Sequence, residues 1–416
     1  MTLTANSKRR LRLTSPEVIL PLLLTASMFI NYIDRSNLSI AAPLLQKEMT
    51  LTLAQIGVLS SAFFWTYALF QLLGISGWLC DRFPVSAVLT ISAVLWGAST
   101  ILTGLLSSFW AIYSMRLVLG AGESLAYPCY SRILASDVPQ KMRGRANALL
   151  DAASKLGPAL GLLLGGLLMV KFGWRIFFIT LGVASLAWAA LWRYFTRRHP
   201  EKADSETNIK ISIRQALRSR SSWGTFAGHF CGNYVWFFLL LWLPTYLVED
   251  KGLSLRSMTS IGSVAYFVIA FGTLCAGWFS DWRISRGQSP TVVRKSVVVG
   301  GMLGSSLIVL AGFVHGTSSS LCLLFVVCFA FGTYTSNHWA ITQTIAGPAL
   351  AGRWTGLQNG VGNFSGIAAA WVTGEIATRT GSFRGAFAVT AVMAVTAALM
   401  WGLVVGPVRE LSYEEA

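Results

Sequence analysis

Twelve long stretches that are almost free of charged side chains recur along this chain of 416 residues. Each holds about 18 or more mainly apolar residues, the length that an α-helix needs to cross the hydrocarbon core of a bilayer. Charged residues make up only 12% of the sequence, against about 25% in soluble domains. The sequence therefore predicts an all-α membrane protein with twelve transmembrane helices, at 18–45, 53–79, 85–106, 110–134, 146–170, 174–195, 223–248, 258–279, 297–314, 321–345, 357–376 and 383–405.

The formal net charge of +16 first suggests a nucleic-acid partner, but the placement of the basic residues indicates a membrane topology instead. With the N-terminus inside, 23 of the 33 Lys and Arg residues fall on the inner side, 7 fall outside and 3 lie within spans. Cytoplasmic loops of membrane proteins are enriched in Lys and Arg. We therefore expect both termini in the cytoplasm, a location in a bacterial inner membrane, a lipid bilayer as surroundings and no nucleic-acid partner.

The chain divides into two related halves. The segment GWLCDR at 77–82 recurs as GWFSDWR at 277–283, and RGRANAL at 143–149 recurs as AGRWTGL at 351–357. Such parallel repeats build one known transporter architecture, in which the substrate binds near mid-membrane between the halves. We predict a cytoplasmic tail at 1–17, a six-helix bundle at 18–195, a cytoplasmic linker at 196–222, a second six-helix bundle at 223–406 and a tail at 407–416.

These loops resemble the major facilitator superfamily, whose signature is a Gly-x-x-x-Asp-Arg loop after span two with a partner after span eight. The first copy departs from the signature, because Pro84 replaces the usual glycine and the basic residues that normally follow are absent. The resemblance implies the two-bundle fold, transport by alternating access, and gating by loop residues of both repeats, here Asp81, Arg82, Arg145, Asp281 and Arg353.

A narrower resemblance is to the anion:cation symporter family of organic-anion transporters. Four stretches carry it: NYIDRSNLSIAAPLL (31–45), RLVLGAGESLAYP (116–128), WFFLLLWLPTYL (236–247) and LQNGVGNFSG (357–366). In that family the aspartate and glutamate at positions 34 and 123 couple protons, and the arginine at position 35 binds the substrate carboxylate. The family also implies pocket residues by position, namely Tyr67, Ser336, His338, Trp339 and Asn363, and Asn359 lies one helical turn before Asn363.

Charged residues inside the spans are costly and therefore mark function or a structural ion pair. Asp34 and Arg35 are adjacent, so they point about 100° apart on a helix and pair poorly with each other. Asn31 and Tyr32 lie one turn before Arg35, on its face of the helix. The planar guanidinium fork suits a carboxylate, so we expect Arg35, Tyr32 and Asn31 to bind the substrate.

Span four carries a second charged pair, Arg116 and Glu123. They share a helix face two turns apart, too far for a direct bridge. We expect Arg116 to bridge to Asp34 across a helix interface, which leaves Glu123 without a fixed partner. A buried carboxylate without a partner favours its protonated form, which suits a proton carrier; the plainer interpretation is a glutamate hydrogen-bonded to a neighbouring hydroxyl.

Asp151 and Lys155 in span five stand four residues apart and can bridge each other. The resembled family often has a neutral amide at position 155, so this chain departs from it there. Two interpretations stay open: Lys155 binds a substrate with more negative charge, or it only pairs with Asp151.

The sequence as a whole predicts a secondary active transporter that moves an organic anion, a carboxylate or sugar acid, by proton symport. The partners expected are that anion and protons, with sodium as an open alternative, and the transporter is expected to act as a monomer. The main rival is an exporter or antiporter, because LGPALGLLLGG at 156–166 resembles the superfamily's antiporter motif. A membrane enzyme has little support, since metal-type, nucleophile and phosphate-loop motifs are missing from the sequence, and we expect no cofactor.

Overall fold

A computed structural model of the protein describes residues 16–137, 140–198, 217–314 and 316–411, and these residues are helical apart from short connections. The part up to residue 198 is called the N-terminal half here, and the part from residue 217 the C-terminal half. The N-terminal half contains nine helices within its described residues: α1 Pro16–Met49, α2 Leu53–Leu72, α3 Ile75–Arg82, α4 Val85–Leu105, α5 Phe109–Ser124, α6 Ala126–Asp137, α7 Gln140–Leu160, α8 Gly166–Phe172 and α9 Trp174–Arg198.

Local sequence explains several of the boundaries between these helices. Thr52 caps α2 in a reciprocal capping box with Gln55, in which each side chain accepts the other residue's backbone N–H. Gly74 separates α2 from α3 with φ 71° and ψ 7°, a left-handed conformation that glycine adopts readily. A π-helical turn, Gly161–Gly165, joins α7 to α8. Three of the predicted spans, 53–79, 110–134 and 146–170, are therefore interrupted helices.

The C-terminal half contains fewer and longer helices: α10 Arg220–Glu249, α11 Leu255–Ser285, α12 Pro290–Ser306, α13 Thr317–Thr380 and α14 Arg384–Leu399. A 3-10 turn, Leu307–Gly312, extends α12, and a π-helical turn, Met400–Val404, extends α14. Helix α13 is sharply bent at Gly347, whose φ of 66° and ψ of 169° are not helical. It therefore has a first arm before Gly347 and a second arm after it.

Nine helical stretches among the described residues are long and apolar enough to cross a membrane. They coincide with nine of the twelve predicted spans. The other three predictions, 18–45, 110–134 and 357–376, fall in α1, in α5 with α6, and in the second arm of α13, all of which are helical. These three stretches carry Asp34 and Arg35, Arg116 and Glu123, and the amides at 358, 359 and 363, so they hold many of the predicted site residues.

The two halves contact each other along α2 and the second arm of α13. Gly57 lies so close to the backbone carbonyl of Ala370 that a Cβ at position 57 would overlap it, and Gly374 packs on the same glycine. Between α1 and α10, Ser39 Oγ donates a hydrogen bond of 2.8 Å to the carbonyl of Leu240. These contacts place α1 and α2 beside α10 and α13, where the repeat predicts the substrate site.

The predicted linker and tails lie mainly outside the described residues. Helix α9 continues to Arg198 and α10 begins at Arg220, so only the ends of the predicted linker 196–222 are seen. The predicted tails 1–17 and 407–416 include residues 1–15 and 412–416, which also fall outside.

Candidate functional site

Arg35 and Glu123 form a buried ion pair between α1 and α5. Arg35 Nε lies 3.1 Å from Glu123 Oε2, and the two side chains are 7% and 0% exposed. The prediction that Glu123 lacks a fixed partner is therefore wrong, because α1 turns Arg35 toward α5. Gly120 packs α5 closely on α2, because a Cβ at this position would overlap the backbone carbonyl oxygen of Phe63.

Aromatic rings surround the Arg35 guanidinium. Its central carbon lies 4.7 Å from the ring centre of Tyr32, 4.5 Å from that of Tyr67 and 5.6 Å from that of Phe63. A cation near an aromatic face gains up to about 2 kcal/mol when it is desolvated. The structure thus brings three predicted substrate residues, Tyr32, Arg35 and Tyr67, into one group. Asn31, also predicted there, is buried, and its amide nitrogen has no hydrogen-bond partner among the described residues.

Asp34 lies in a separate, fully buried network of hydrogen-bond donors. Its Oδ1 accepts from Thr100 Oγ1 at 2.8 Å and from Asn37 Nδ2 at 3.1 Å, and its Oδ2 accepts from Ser185 Oγ at 3.4 Å. The carboxylate therefore connects α1 with α4 and α9. Sequence analysis missed all three partners. Asn37 stands three residues after Asp34 and could have been found from helical spacing, whereas Thr100 and Ser185 come from distant helices.

Arg116 does not bridge to Asp34 directly, contrary to the prediction. Its Nη1 donates to Asn37 Oδ1 at 3.2 Å, so Asn37 stands between the two charged groups and bonds to both. In the described part of the chain, Arg116 Nε and Nη2 are buried without a hydrogen-bond partner. The guanidinium lies 5.4 Å from the ring centre of Phe63. The charged residues of α1 and α5 thus form two units: Arg35 with Glu123, and Asp34 with Asn37 and Arg116.

Lys155 on α7 pairs with Asp151, as one of the two open interpretations states. The Lys155 Nζ atom lies 3.1 Å from Asp151 Oδ1 and 3.2 Å from Ser154 Oγ. The pair is not sealed from solvent, because the side chains of Lys155 and Asp151 are 22% and 60% exposed. An exposed ion pair of this kind leaves the lysine able to contact an anion as well.

The C-terminal half contributes the predicted pocket residues from the two arms of α13. His338 is buried with its ring centre 4.7 Å from that of Trp339, and Ser336 accepts a hydrogen bond from its neighbour in the first arm. In the second arm, Asn363 Nδ2 donates 2.7 Å to the carbonyl of Asn359, and Asn359 Nδ2 lies 3.4 Å from Gln71 Oε1 on α2. Asn359 therefore contacts the N-terminal half directly.

The predicted gating residues can be placed only in part. The side chains of Asp81, Arg145 and Arg353 lie outside what the structure describes. Arg82 is exposed at the end of α3. Asp281 Oδ1 lies 4.0 Å from an arginine nitrogen on α12, in its own half.

A resident metal has no evident place in the described residues. No group of three or more His, Cys, Asp and Glu side chains there lies close enough to hold an ion. The chemistry that this arrangement offers is the binding of anions by buried cations and the exchange of protons at carboxylates.

The comparison with known families decides what kind of protein holds this site. The family model of the Major Facilitator Superfamily matches residues 24–370. The chain belongs to the Major Facilitator Superfamily. Members of this superfamily are transporters, so the chain is a multi-pass membrane transporter and not an enzyme.

Several relatives within the superfamily are named as transporters of sugar acids. The chain is 31% identical to the probable galactarate/D-glucarate transporter GarP of Escherichia coli (strain K12), over 93% of this chain and 94% of the relative. It is 30% identical to the hexuronate transporter of Bacillus subtilis (strain 168), over 89% and 90%. Among solved structures, a bacterial homolog of the human lysosomal transporter Spinster, inward-facing and occupied, superposes with a TM-score of 0.78 at 18% identity, over 93% and 96%. The last likeness concerns the fold alone.

Proposed function

We propose that this chain is a secondary active transporter that imports a sugar acid or a related carboxylate together with protons, by alternating access. The observation that carries the proposal is the buried Arg35–Glu123 ion pair beneath the rings of Tyr32 and Tyr67. A substrate carboxylate is the same functional group as the side chain of Glu123, which pairs with Arg35. The sugar-acid relatives GarP and the hexuronate transporter support this substrate class.

Competition for Arg35 couples the proton to the anion. Glu123 engages the guanidinium through Nε alone, whereas the guanidinium fork can bind a carboxylate through two parallel hydrogen bonds. Protonation of Glu123 removes its charge and weakens its hold on Arg35, so the substrate carboxylate then takes its place. Loss of that proton on the cytoplasmic side restores the ion pair and expels the substrate.

Asp34 is the second proposed proton site, with Arg116 as its indirect partner through Asn37. An inside-negative potential opposes entry of an anion by about 2.3 kcal/mol per charge per 100 mV. Two protons, one on each carboxylate, cancel the charge of a dicarboxylate, and uptake is then driven by the pH gradient at about 1.4 kcal/mol per proton and pH unit. With a monocarboxylate the same two protons carry one net positive charge inward, so the potential assists.

The topology proposed for this cycle has twelve crossings in two bundles with both termini in the cytoplasm of a bacterial cell. The nine apolar helical stretches account for most of them. Helix α1, the α5–α6 pair and the second arm of α13 supply the remaining three, and they carry the polar groups of the site. The excess of Lys and Arg predicted on the inner side supports this orientation. A monomer suffices, because both halves of the site come from one chain.

Export by antiport is the alternative direction, suggested by the glycines of 156–166. In the structure these glycines have packing roles. Gly157 lies against Tyr32, Gly161 against Ile33, and Gly166 against Thr259 of α11. Close packing on α1 accounts for Gly157 and Gly161, and close packing of α8 on α11 accounts for Gly166. These glycines therefore do not by themselves favour export.

Ligand binding and counterflow together test the proposal. Purified protein is screened by thermal shift with galactarate, D-glucarate and D-glucuronate, and the acids that stabilise it are then used in labelled counterflow. At least one acid is expected to raise the melting temperature and to exchange, and Arg35→Ala is expected to abolish both effects in a folded protein. Binding of these acids by Arg35→Ala with normal affinity contradicts the assignment, and absence of exchange with every acid contradicts the substrate class.

A further inference from the structure

A stack of aromatic rings with an arginine at its end lies at the C-terminal end of α11, which the proposed topology places at the inner leaflet. The ring centres of Trp278 and Trp282 are 6.2 Å apart, and their planes differ by 12°. The Arg286 guanidinium lies over the Trp282 ring, 4.2 Å from its centre. Residues four apart share one face of a helix, so the two tryptophans and Arg286 form one column along α11.

A second arginine lies beside this column. The Arg283 guanidinium lies over the Phe279 ring, 5.9 Å from its centre, and its Nε donates a hydrogen bond of 2.6 Å to Gln288 Oε1. In the described part of the chain, neither Arg283 nor Arg286 forms an ion pair with a carboxylate. Two guanidinium groups at the end of one membrane helix are therefore available to an anion.

The face of α11 that leads up to the arginines is apolar and exposed. Phe271, Leu274 and Trp278, called the apolar strip here, are exposed, and Trp278 keeps 73% of its surface accessible. The opposite face packs on α13, where Thr273 Oγ1 lies 2.7 Å from Thr335 Oγ1. Helix α11 is long and apolar enough to cross the membrane, so the strip faces lipid. The hydrocarbon of one leaflet spans about 15 Å, or about ten residues of helix, which is enough for one lipid tail to cover the strip.

The ring stack belongs to the second half of the chain only. Trp278 corresponds to Trp78 in the internal repeat, and Trp282 stands where the first copy has Arg82. Trp78 is exposed as well, but its ring contacts Phe83 edge-on, at 6.2 Å and 89°, in place of a parallel stack. The preference of tryptophan for the membrane interface accounts for an exposed ring in each half. It does not account for the second tryptophan and the two arginines of α11.

We propose that the C-terminal end of α11 binds an anionic phospholipid of the inner leaflet. The lipid phosphate lies between Arg283 and Arg286, whose planar forks of N–H donors suit phosphate oxygens, and an acyl chain covers the apolar strip. The segment 277–296 carries four basic residues and one acidic residue, Asp281, which lies 4.0 Å from Arg294 Nη2. Its positive charge complements an anionic headgroup. The inference rests on the proposed function only for the orientation that places this end at the inner leaflet.

Lipid binding by the purified, delipidated protein tests the site. Native mass spectrometry in detergent measures the affinity for phosphatidylglycerol, with phosphatidylcholine as the zwitterionic comparison and inorganic phosphate as the soluble one. The wild type is expected to prefer phosphatidylglycerol to both. One basic residue near anionic lipid contributes a factor of about five, so Arg283→Gln and Arg286→Gln should each weaken this binding about fivefold and together about 25-fold. Trp282→Leu should weaken it about two- to fivefold, because Arg286 loses its ring.

Arg198→Gln and Trp78→Leu are the matched controls. Arg198 lies 4.2 Å from the centre of the exposed Tyr194 ring at the end of α9, so it is also an arginine over a single ring on the predicted inner side. Trp78 is the repeat counterpart of Trp278. Both variants are expected to bind phosphatidylglycerol as tightly as the wild type does.

Four outcomes overturn the inference. They are unchanged phosphatidylglycerol binding in the double variant of Arg283 and Arg286, an equal loss in Arg198→Gln and Arg286→Gln, equal affinity for phosphatidylcholine, and displacement of the lipid by inorganic phosphate. The second indicates only general surface charge, and the last indicates a site for soluble anions. The assay contains no transport substrate and no transport step, so these outcomes leave the proposed function standing. Failure of sugar-acid transport likewise leaves the lipid site standing.

Discussion

Glu123→Gln tests whether a glutamate and a substrate carboxylate share one arginine. Glutamine has the shape of the protonated acid, so the substitution fixes position 123 in a permanently neutral state. In the structure it removes the charge that lies 3.1 Å from Arg35 Nε and leaves the surrounding rings of Tyr32 and Tyr67 in place. The variant should therefore bind substrate but fail to accumulate it, because the proton step is lost.

The expected change in substrate affinity follows from the charged hydrogen bond that Arg35 loses at position 123. A hydrogen bond to a charged group contributes about 1.5–3 kcal/mol and a neutral one about 1 kcal/mol, so substrate competes against a partner weakened by about 0.5–2 kcal/mol. Affinity should rise about 2- to 30-fold. Removing one partner of a buried pair costs about 3–5 kcal/mol of stability, and glutamine keeps a neutral hydrogen bond to Arg35 that contributes about 1 kcal/mol. The free energy of unfolding should therefore fall by about 2–4 kcal/mol.

Calorimetric titration with a transported sugar acid across a series of pH values measures the effect. The wild type should bind more tightly as the pH falls, and Glu123→Gln should bind tightly with little dependence on pH. Glu375→Gln is the control, since Glu375 forms an ion pair with Arg379 at 2.5 Å on the far end of α13, partly exposed and away from the site. Weaker binding by Glu123→Gln than by the wild type, with the pH dependence retained, would refute the competition for Arg35.

Three further predictions concern the same architecture. Arg35→Lys should lower substrate affinity about 10- to 100-fold, because an ammonium lacks the bidentate fork; wild-type affinity by titration contradicts this. A double-mutant cycle of Lys155→Gln and Asp151→Asn should show a stability coupling of only about 0.5 kcal/mol, since Asp151 is 60% exposed. Lys155→Gln should weaken the binding of dianions about tenfold more than the binding of monoanions. Coupling in the melting temperature without a change in ligand preference removes Lys155 from the substrate site. Gly57→Ala should abolish uptake because its Cβ would overlap a backbone carbonyl of α13. Gly300→Ala should transport normally, because a Cβ at that position has no neighbour within contact distance. Equal uptake by both variants argues against a tight α2–α13 contact in the cycle.

Apolar length alone predicted most of the helices, because a bilayer allows few solutions for a long uncharged stretch. The interruptions were not predicted. The π-helical turn Gly161–Gly165 lies inside a continuous apolar run, and it depends on how α7 and α8 pack on α1 and α11. The bend at Gly347 lies between the predicted spans 321–345 and 357–376. The connection between these spans is itself helical after Gly347, which apolar length did not predict.

The charged residues of the site were found from the cost of charge in the membrane, but their partners were not. Arg116 lies on the same helix face as Glu123, and Arg35 reaches Glu123 from another helix instead. Which arginine pairs with Glu123 depends on the rotation of α1 about its axis, and local sequence does not determine this rotation. Thr100 and Ser185 were missed because serine and threonine are common in membrane helices, and only the packing of α4 and α9 on α1 selects these two.

The central claim is that anion uptake is driven by protons, and transport into proteoliposomes tests it most directly. Labelled galactarate is added outside, with an imposed pH gradient that is acidic outside, in sodium-free buffer. We predict accumulation above the external concentration that a protonophore abolishes and that added sodium does not increase. Uptake that only equilibrates, ignores the pH gradient or requires sodium would contradict proton symport.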